Sequence, residues 1–312
     1  MAAARQPVPR GSQPATREEI IARVREMYRR HPFPPARRKH TYRHHVAYVR
    51  RFLDELGIDP RGREFGDFAC GTGLMMLDYA QAFPDTTFVG YDLSAVSVER
   101  ANATFAAEGV SNAHAQVQDI MQMGDRDRFA YIVSWGTIHH LPDPAEGVAI
   151  LARALLPGGI LRTGIYGYYG NWERRVQQEM LRTLAGDGDP LDFDRRIALV
   201  REWAGADRNF KNYYTAPPVD LHDDDWVVDE FLHVWENHLK LADIVTWLEA
   251  NGLQVLRLTD YYDAEIALDV AEHSTSPPFV ARVKGLSFVE QCAVIEMIVR
   301  PYWISLLARK HG

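Results

Sequence analysis

The sequence predicts an α/β fold, a mostly parallel sheet flanked by helices, and three observations carry that prediction. Between Glu64 and Tyr166, short apolar runs alternate with amphipathic segments at the spacing of βαβ units. A tight glycine-bearing turn, Asp67 to Gly73, follows the first of those runs. An acid, Asp92, stands at the tip of the second run, nineteen residues past Gly73. The composition agrees: 312 residues, 46% apolar and 25% charged, suit one decorated domain.

Residues 1–15 are rich in Pro, Gly, Ala and Gln without periodicity, which predicts a mobile tail. Thr16 followed by Glu19 is a capping box, and Ile20, Val24 and Met27 give the helix after it one apolar face. His31-Pro32-Phe33-Pro34-Pro35 stops that helix. A second helix, about 42–56, ends at Gly57, so 16–57 reads as an N-terminal helical arm. The core, 58–166, has strands expected at 64–69, 86–91, 113–118, 129–135 and 159–166, with helices at 73–83, 94–108 and 143–156. Residues 167–238 break the alternation and read as a helical insertion, with patches at 171–185 and 192–204 and turns at Gly186 to Pro190 and Pro217-Pro218. The remainder, 239–312, is expected to hold a helix at 239–250, a strand at 253–260, and a terminal helix over about 286–309, broken near Pro301.

The formal charge of −7 conceals an asymmetry. Residues 1–51 hold thirteen arginines and lysines against three glutamates, a net +10, which leaves −17 for the rest. A basic arm of this kind either docks on its own acidic body or reaches for nucleic acid or another acidic ligand. Cys70 and Cys292 make neither a disulfide framework nor a multi-cysteine metal site. Met1 to Gln13 lacks the apolar stretch of a secretory signal, and no run approaches the ~20 apolar residues of a membrane span. A cytoplasmic setting is the expectation.

The glycine turn and Asp92 together describe a nucleotide site, because a carboxylate at the tip of the second strand can take both hydroxyls of a ribose. A dinucleotide would want a further glycine where the first helix meets a pyrophosphate. Leu74, Met75 and Met76 stand there, which favours a nucleoside without phosphates. At this point the sequence resembles a family. Asp67 to Gly73, Asp92, Gln118-Asp119-Ile120, Ser134-Trp135-Gly136-Thr137-Ile138-His139-His140 and Leu155-Leu156-Pro157-Gly158-Gly159 look like the successive motifs of class I S-adenosylmethionine-dependent methyltransferases. That resemblance implies a Rossmann-like fold and S-adenosyl-L-methionine as cofactor. It implies that Asp67, Ala69, Gly71, Thr72 and Gly73 line the methionine part, although Ala69 replaces the usual glycine. Asp92 and Leu93 would meet the ribose, Asp119 and Ile120 the adenine, and Trp135 would lie beneath the cofactor. His31-Pro32-Phe33-Pro34, Gly164 to Gly167 and Asp229 to His233 resemble, more loosely, bacterial methyltransferases of mostly unassigned substrate. By that resemblance Tyr28 and Phe33 would close over the cofactor.

Candidates for the transfer itself are His139 and His140, which follow the fourth strand, Tyr166 at the end of the fifth, and His233. If 229–236 is helical, Asp229, His233 and Glu236 share one face, and a His held by a carboxylate is a proton acceptor. The bland alternatives are a buried wall for the first pair and a polar surface for the second. Tyr166, Tyr168, Tyr169 and Trp172 are either an aromatic wall for a substrate or packing beneath the insertion. No metal is expected, since adjacent histidines on a regular element point apart. Cys70 reads as packing, and the acidic run Asp223 to Asp225 as a solvated loop. The expected reaction is in-line transfer of a methyl group to an O, N or C atom of a small-molecule or peptide acceptor, under a lid made by the arm and the insertion. Two competitors stay open: an RNA or protein methyltransferase using the basic arm, and a cofactor-binding subunit that serves a partner enzyme. Against exocyclic amines of bases, the Asn/Asp-Pro-Pro-aromatic signature is absent after the fourth strand.

Overall fold

The computed structural model describes residues 16–186, 188–206 and 220–312. The expected tail at 1–15, the Pro217-Pro218 turn and one residue of the turn after Gly186 lie outside these. Seven strands form one sheet: β1 (Glu64–Phe68), β2 (Thr87–Asp92), β3 (Ala113–Val117), β4 (Phe129–Trp135), β5 (Leu155–Tyr166), β6 (Leu253–Thr259) and β7 (Trp303–Lys310). Their order across the sheet is β3-β2-β1-β4-β5-β7-β6, the first five parallel and β7 antiparallel to both of its neighbours. The order reverses between β1 and β4. In open α/β sheets the crevice at the carboxyl ends of such a pair is where ligands bind.

Eleven α-helices lie among the described residues: α1 (Arg17–Arg30), α2 (Arg43–Glu55), α3 (Leu74–Ala82), α4 (Ala95–Ala107), α5 (Pro144–Ala154), α6 (Trp172–Ala185), α7 (Phe193–Ala206), α8 (Asp224–Phe231), α9 (Leu241–Ala250), α10 (Pro277–Lys284) and α11 (Phe288–Val299). Their ends carry the expected caps: Thr16 with Glu19 on α1, and Asp143 with Pro144 on α5. β4 is apolar on both faces because each face is covered. On one, Ile132 packs with Leu151 of α5 and Ile244 of α9; on the other, Tyr131 packs with Phe52 of α2 and Leu77 of α3. A third apolar cluster joins Met27 of α1 to Leu181, Ile197, Trp226 and Phe231 of α6, α7 and α8. Arm and insertion therefore share a core.

Three expectations need correction. Residues 303–310 are a strand and not the end of a helix. Arg300 turns left-handed (φ 49°) to end α11, Pro301 follows, and Trp303 to Ala308 is buried between β5 and β6. A short apolar run has no periodicity that separates strand from helix. Second, 229–236 is not one helix, because α8 ends at Phe231. Third, Asp223 to Asp225 is no solvated loop. Asp223 caps α8 and takes Arg37 of the arm, while Asp224 and Asp225 begin that helix and Asp225 meets His31 Nδ1 at 3.1 Å.

Part of the arm's positive charge is spent on the body. Arg17 pairs with Glu146, Lys39 with Glu108, and Arg37 with Asp220 and Asp223, while Arg29 and Arg30 pair with Glu26 of their own helix. Exposed pairs add little singly; together they set where the arm rests. The anchor is deeper. Arg162 of β5 is fully buried and pairs with Asp263, which also meets His45 Nδ1 of α2 at 2.8 Å. Burial holds the His45 imidazole down to about 3, so it stays neutral. Asp263→Asn strands a buried guanidinium and should lower stability by about 3 kcal/mol or more. Urea melts check this, and the double variant Arg162→Met/Asp263→Asn should recover part of the loss.

Candidate active site

The site grows from the turn after β1. Ala69 and Cys70 both donate backbone N–H to the Tyr91 carbonyl, at 2.8 and 2.9 Å, and this forces Ala69 left-handed (φ 69°). A side chain there costs about 1–2 kcal/mol, the conformation that glycine would adopt freely. Gly71 donates to Asp92 Oδ2 at 2.9 Å, and Ser94 N donates to Asp92 Oδ1 at 2.8 Å. One carboxylate thus ties the turn to the end of β2. Each of its oxygens keeps a lone pair for a ligand.

The arm closes onto this turn. Thr72 N donates to the Phe33 carbonyl at 3.1 Å, and Thr72 Oγ1 donates to the Pro34 carbonyl at 2.6 Å. A Cβ on Gly71 would lie 2.2 Å from the Phe33 oxygen, so only glycine admits this approach. Further back, Ser94 Oγ donates to the Tyr28 carbonyl at 3.1 Å.

Beneath the arm lies a cavity at the carboxyl ends of β1, β2 and β4. Of the residues expected to hold a cofactor, Asp67, Ala69, Gly71, Asp92 and Leu93 line it from β1 and β2. Asp119 and Ile120 line it from the turn after β3, Trp135 from the end of β4, and Tyr28 and Phe33 from the arm. Thr72 and Gly73 do not: Thr72 holds the arm, and Gly73 lies against Ala101 and Phe105 of α4. Asp67 is buried and makes no hydrogen bond among the described residues. Burial first, then the nearby Asp92, push its carboxyl up to about 8. Burial raises Asp92 to about 6 against the pull of its backbone donors. The pair forms an acidic pocket wanting a cation.

His140 and Tyr166 line the same cavity; His139 and His233 stand behind them. His139 is buried against Tyr166, with ring centroids 4.9 Å apart, and neither ring nitrogen has a partner. His140 Nδ1 lies 3.0 Å from the Trp235 carbonyl, which can only accept, so Nε2 keeps the lone pair. His233 has the opposite tautomer: its Nδ1 accepts from Trp235 N at 3.1 Å, which leaves Nε2–H for the Tyr28 oxygen at 3.3 Å. Tyr28 Oη in turn donates to Asp229 Oδ1 at 3.0 Å. The two imidazoles stack at 3.6 Å. Burial lowers both, His140 to about 4. Asp229, His233 and Glu236 are thus drawn into one region by a bend and not by a helical face. Glu236 pairs with buried Arg174 at 2.6 Å, and Arg174 also meets Glu230 and lies over the Tyr166 ring at 3.9 Å.

Of the four aromatics after β5, Tyr166 alone lines the cavity, and Trp172 is exposed. Its walls are completed by residues that the sequence did not single out: Arg38, Tyr42, Tyr261, Tyr302 and Trp303, together with Trp226. Trp303 lay in the misread strand. Arg38 was one cation among thirteen, with nothing to mark it. Two clusters bring metal-type ligands within 4.8 Å, His44 with His45 and Asp263, and His139 with His140 and Glu236. In each, the carboxylate is already held by a buried arginine, Arg162 or Arg174.

Comparisons with known proteins can now be set beside this geometry. Residues 66–159 match the family described as "Methyltransferase domain". An uncharacterized protein of Synechococcus sp. is 26% identical over 260 residues, which cover 78% of this chain and 61% of that protein. The ubiquinone biosynthesis O-methyltransferase of Alkalilimnicola ehrlichii is 30% identical over 114 residues, 36% of this chain and 44% of its own. The chain spans less than two thirds of the length of these curated relatives. Among solved structures, PKMT2 from Rickettsia typhi superposes with a TM-score of 0.63 at 18% identity, over 90% of this chain and 54% of that one. The sheet has the Rossmann-like order of the class I methyltransferase fold, and the stretch 66–159 within it is similar to a methyltransferase domain.

Carboxyls raised by burial have a consequence for pH. Asp67 binds a proton more tightly folded than unfolded, so its share of stability is full below about pH 4 and is lost as pH rises through about 8. Asp229, pushed up to about 7 chiefly by burial, acts in the same direction. Asp67→Asn should therefore gain on the order of 1–3 kcal/mol relative to the parent between pH 6 and 9. Denaturant midpoints across that range check it; parallel curves would refute the buried, unpaired carboxyl.

Proposed function

We propose that this chain is an S-adenosylmethionine-dependent methyltransferase that acts on a small molecule enclosed beneath its arm and insertion. The carrying observation is the shared cavity: an acidic pair at the ends of β1 and β2 opens onto His140 and Tyr166. The residues present suit the cofactor. Asp67 offers an unpaired buried carboxylate to an ammonium group, and Asp92 offers two free lone pairs to vicinal hydroxyls. Leu93, Ile120 and Met121 give an apolar slot, closed by Asp119 at its polar edge, of the kind a purine requires.

When bound, S-adenosylmethionine supplies a sulfonium methyl that leaves as an acceptor lone pair forms the new bond. The chain's own work is alignment, exclusion of water and disposal of one proton. His140 is suited to the last task. Its Nδ1–H is fixed on the Trp235 carbonyl, so the cavity-lining imidazole presents a neutral Nε2 lone pair. His233 and His139 position it from behind, and Tyr166 forms the wall beside it, held by Arg174 and Glu230. Tyr28 and Phe33 act as the lid, and Trp135 as the floor.

The ion pairs of the arm support docking over nucleic-acid binding, since those cations already face carboxylates. The O-methyltransferase among the relatives is consistent with a hydroxyl acceptor, for which a base is useful.

Calorimetry with S-adenosylmethionine tests the reading. Binding should release protons near neutral pH as Asp67 ionises against the arriving cation, so affinity should rise from pH 6 to 8.5. Asp92→Asn should weaken binding by about 1.5–3 kcal/mol, tenfold or more. Absence of binding by the native chain defeats the proposal. With an acceptor in hand, His140→Gln should lower kcat on the order of 100-fold with KM little changed.

A further inference from the structure

Arg38 is the cation among the described residues of the cavity lining, and none of them gives it a direct ion pair, Asp229 acting on it only from beyond contact. It ends the short turn Ala36–Arg38 and is 6% exposed. Its guanidinium lies 5.0 Å from the Trp226 ring centre and 5.3 Å from that of Tyr42. Nη2 donates to Tyr261 Oη at 2.7 Å, and Nε is buried without a partner. Among the described residues no carboxylate stands within ion-pair distance.

Its neighbour Arg37 shows that this is not for want of acids. On the same Trp226 ring, at 4.9 Å, the half-exposed Arg37 takes both Asp220 and Asp223. The acids nearer Arg38 are engaged elsewhere: Asp229 accepts from Tyr28, and Glu230 holds Arg174 and Tyr166. A buried guanidinium without a counter-charge is costly, so a chain that keeps one in a cavity leaves the counter-charge to a ligand. The planar fork fits a carboxylate edge to edge. A phosphate dianion would call for a second cation, and the described lining has Arg38 alone, since His140 is neutral.

We propose that Arg38 anchors a carboxylate of the methyl acceptor, so that the substrates are carboxylic acids whose bodies rest against Tyr42, Trp226 and Tyr261. This rests on the methyltransferase reading above and narrows its acceptor class.

The test uses the full chain saturated with S-adenosylhomocysteine and a panel of mono-, di- and tricarboxylic acids, aromatic and aliphatic, each paired with its neutral amide. At least one acid should bind at least about tenfold tighter than its amide. Arg38→Gln should erase that preference, Arg38→Lys should restore part of it, and S-adenosylmethionine affinity should hold within about threefold in both. The acid-over-amide preference of the unaltered chain needs no variant to fold. No acid binding, or acids and amides binding alike, overturns the proposal. Loss of S-adenosylmethionine affinity in a folded Arg38→Gln overturns it too, by moving the anchored carboxylate to the cofactor's methionine end. Failure of the native chain to bind S-adenosylmethionine is a separate result and defeats the underlying reading instead.

Discussion

The site depends on a backbone contact. The Phe33 carbonyl sits where a side chain on residue 71 would be, and it accepts from Thr72 N. That contact joins the arm to the turn after β1. Since the arm shares an apolar core with α6 to α8, it also fixes the insertion above the strand ends. The same turn is held from the other side by Asp92 and by the Tyr91 carbonyl. Moving the turn would move the floor, the lid and the acid expected to meet the ribose together.

Charge is distributed so that each buried carboxylate or guanidinium among the described residues either has a partner or faces the cavity. Arg162 and Arg174 are paired with acids within the protein, and they tie the arm and insertion to the sheet. Asp67 and Arg38 have no such partner and both line the cavity, an acid at the glycine-turn end and a cation among the aromatics. A zwitterionic pair of ligands would satisfy both. Burial first lowers His140 and His233, and His140 lowers His233 further. Preorganised polarity of this kind is what an alkyl transfer asks of a protein that need not stabilise a poor leaving group.

Legibility in the sequence followed the range of the interaction. The strands of the core, the caps of α1 and α5, and the glycine turn were readable because their signals are local: alternation, a capping box, a residue free at positive φ. Asp92 was readable because its distance from the turn is fixed by one βα unit. The strand at 303–310 was not, since a short, mostly apolar run packs equally well in either form until neighbours on both edges supply its hydrogen bonds. The His233 cluster was half legible. The sequence grouped Asp229, His233 and Glu236, but a bend and not helical spacing gathers them, and His233 meets Tyr28 in place of a carboxylate.

The amino-acid sequence by itself determined that a mostly parallel α/β sheet forms, that its first two strands end in a glycine turn and an acid, and that a basic arm precedes it. Those features follow from periodicity and from spacing along the chain. Tertiary structure decided where the described arm rests and which of its arginines is buried. Arg37 and Arg38 are adjacent and chemically identical, yet one pairs with carboxylates near solvent and the other lines a cavity with no described carboxylate within ion-pair distance. Only the packing of α8 and Tyr261 around them separates the two, because burial and partners belong to position in space.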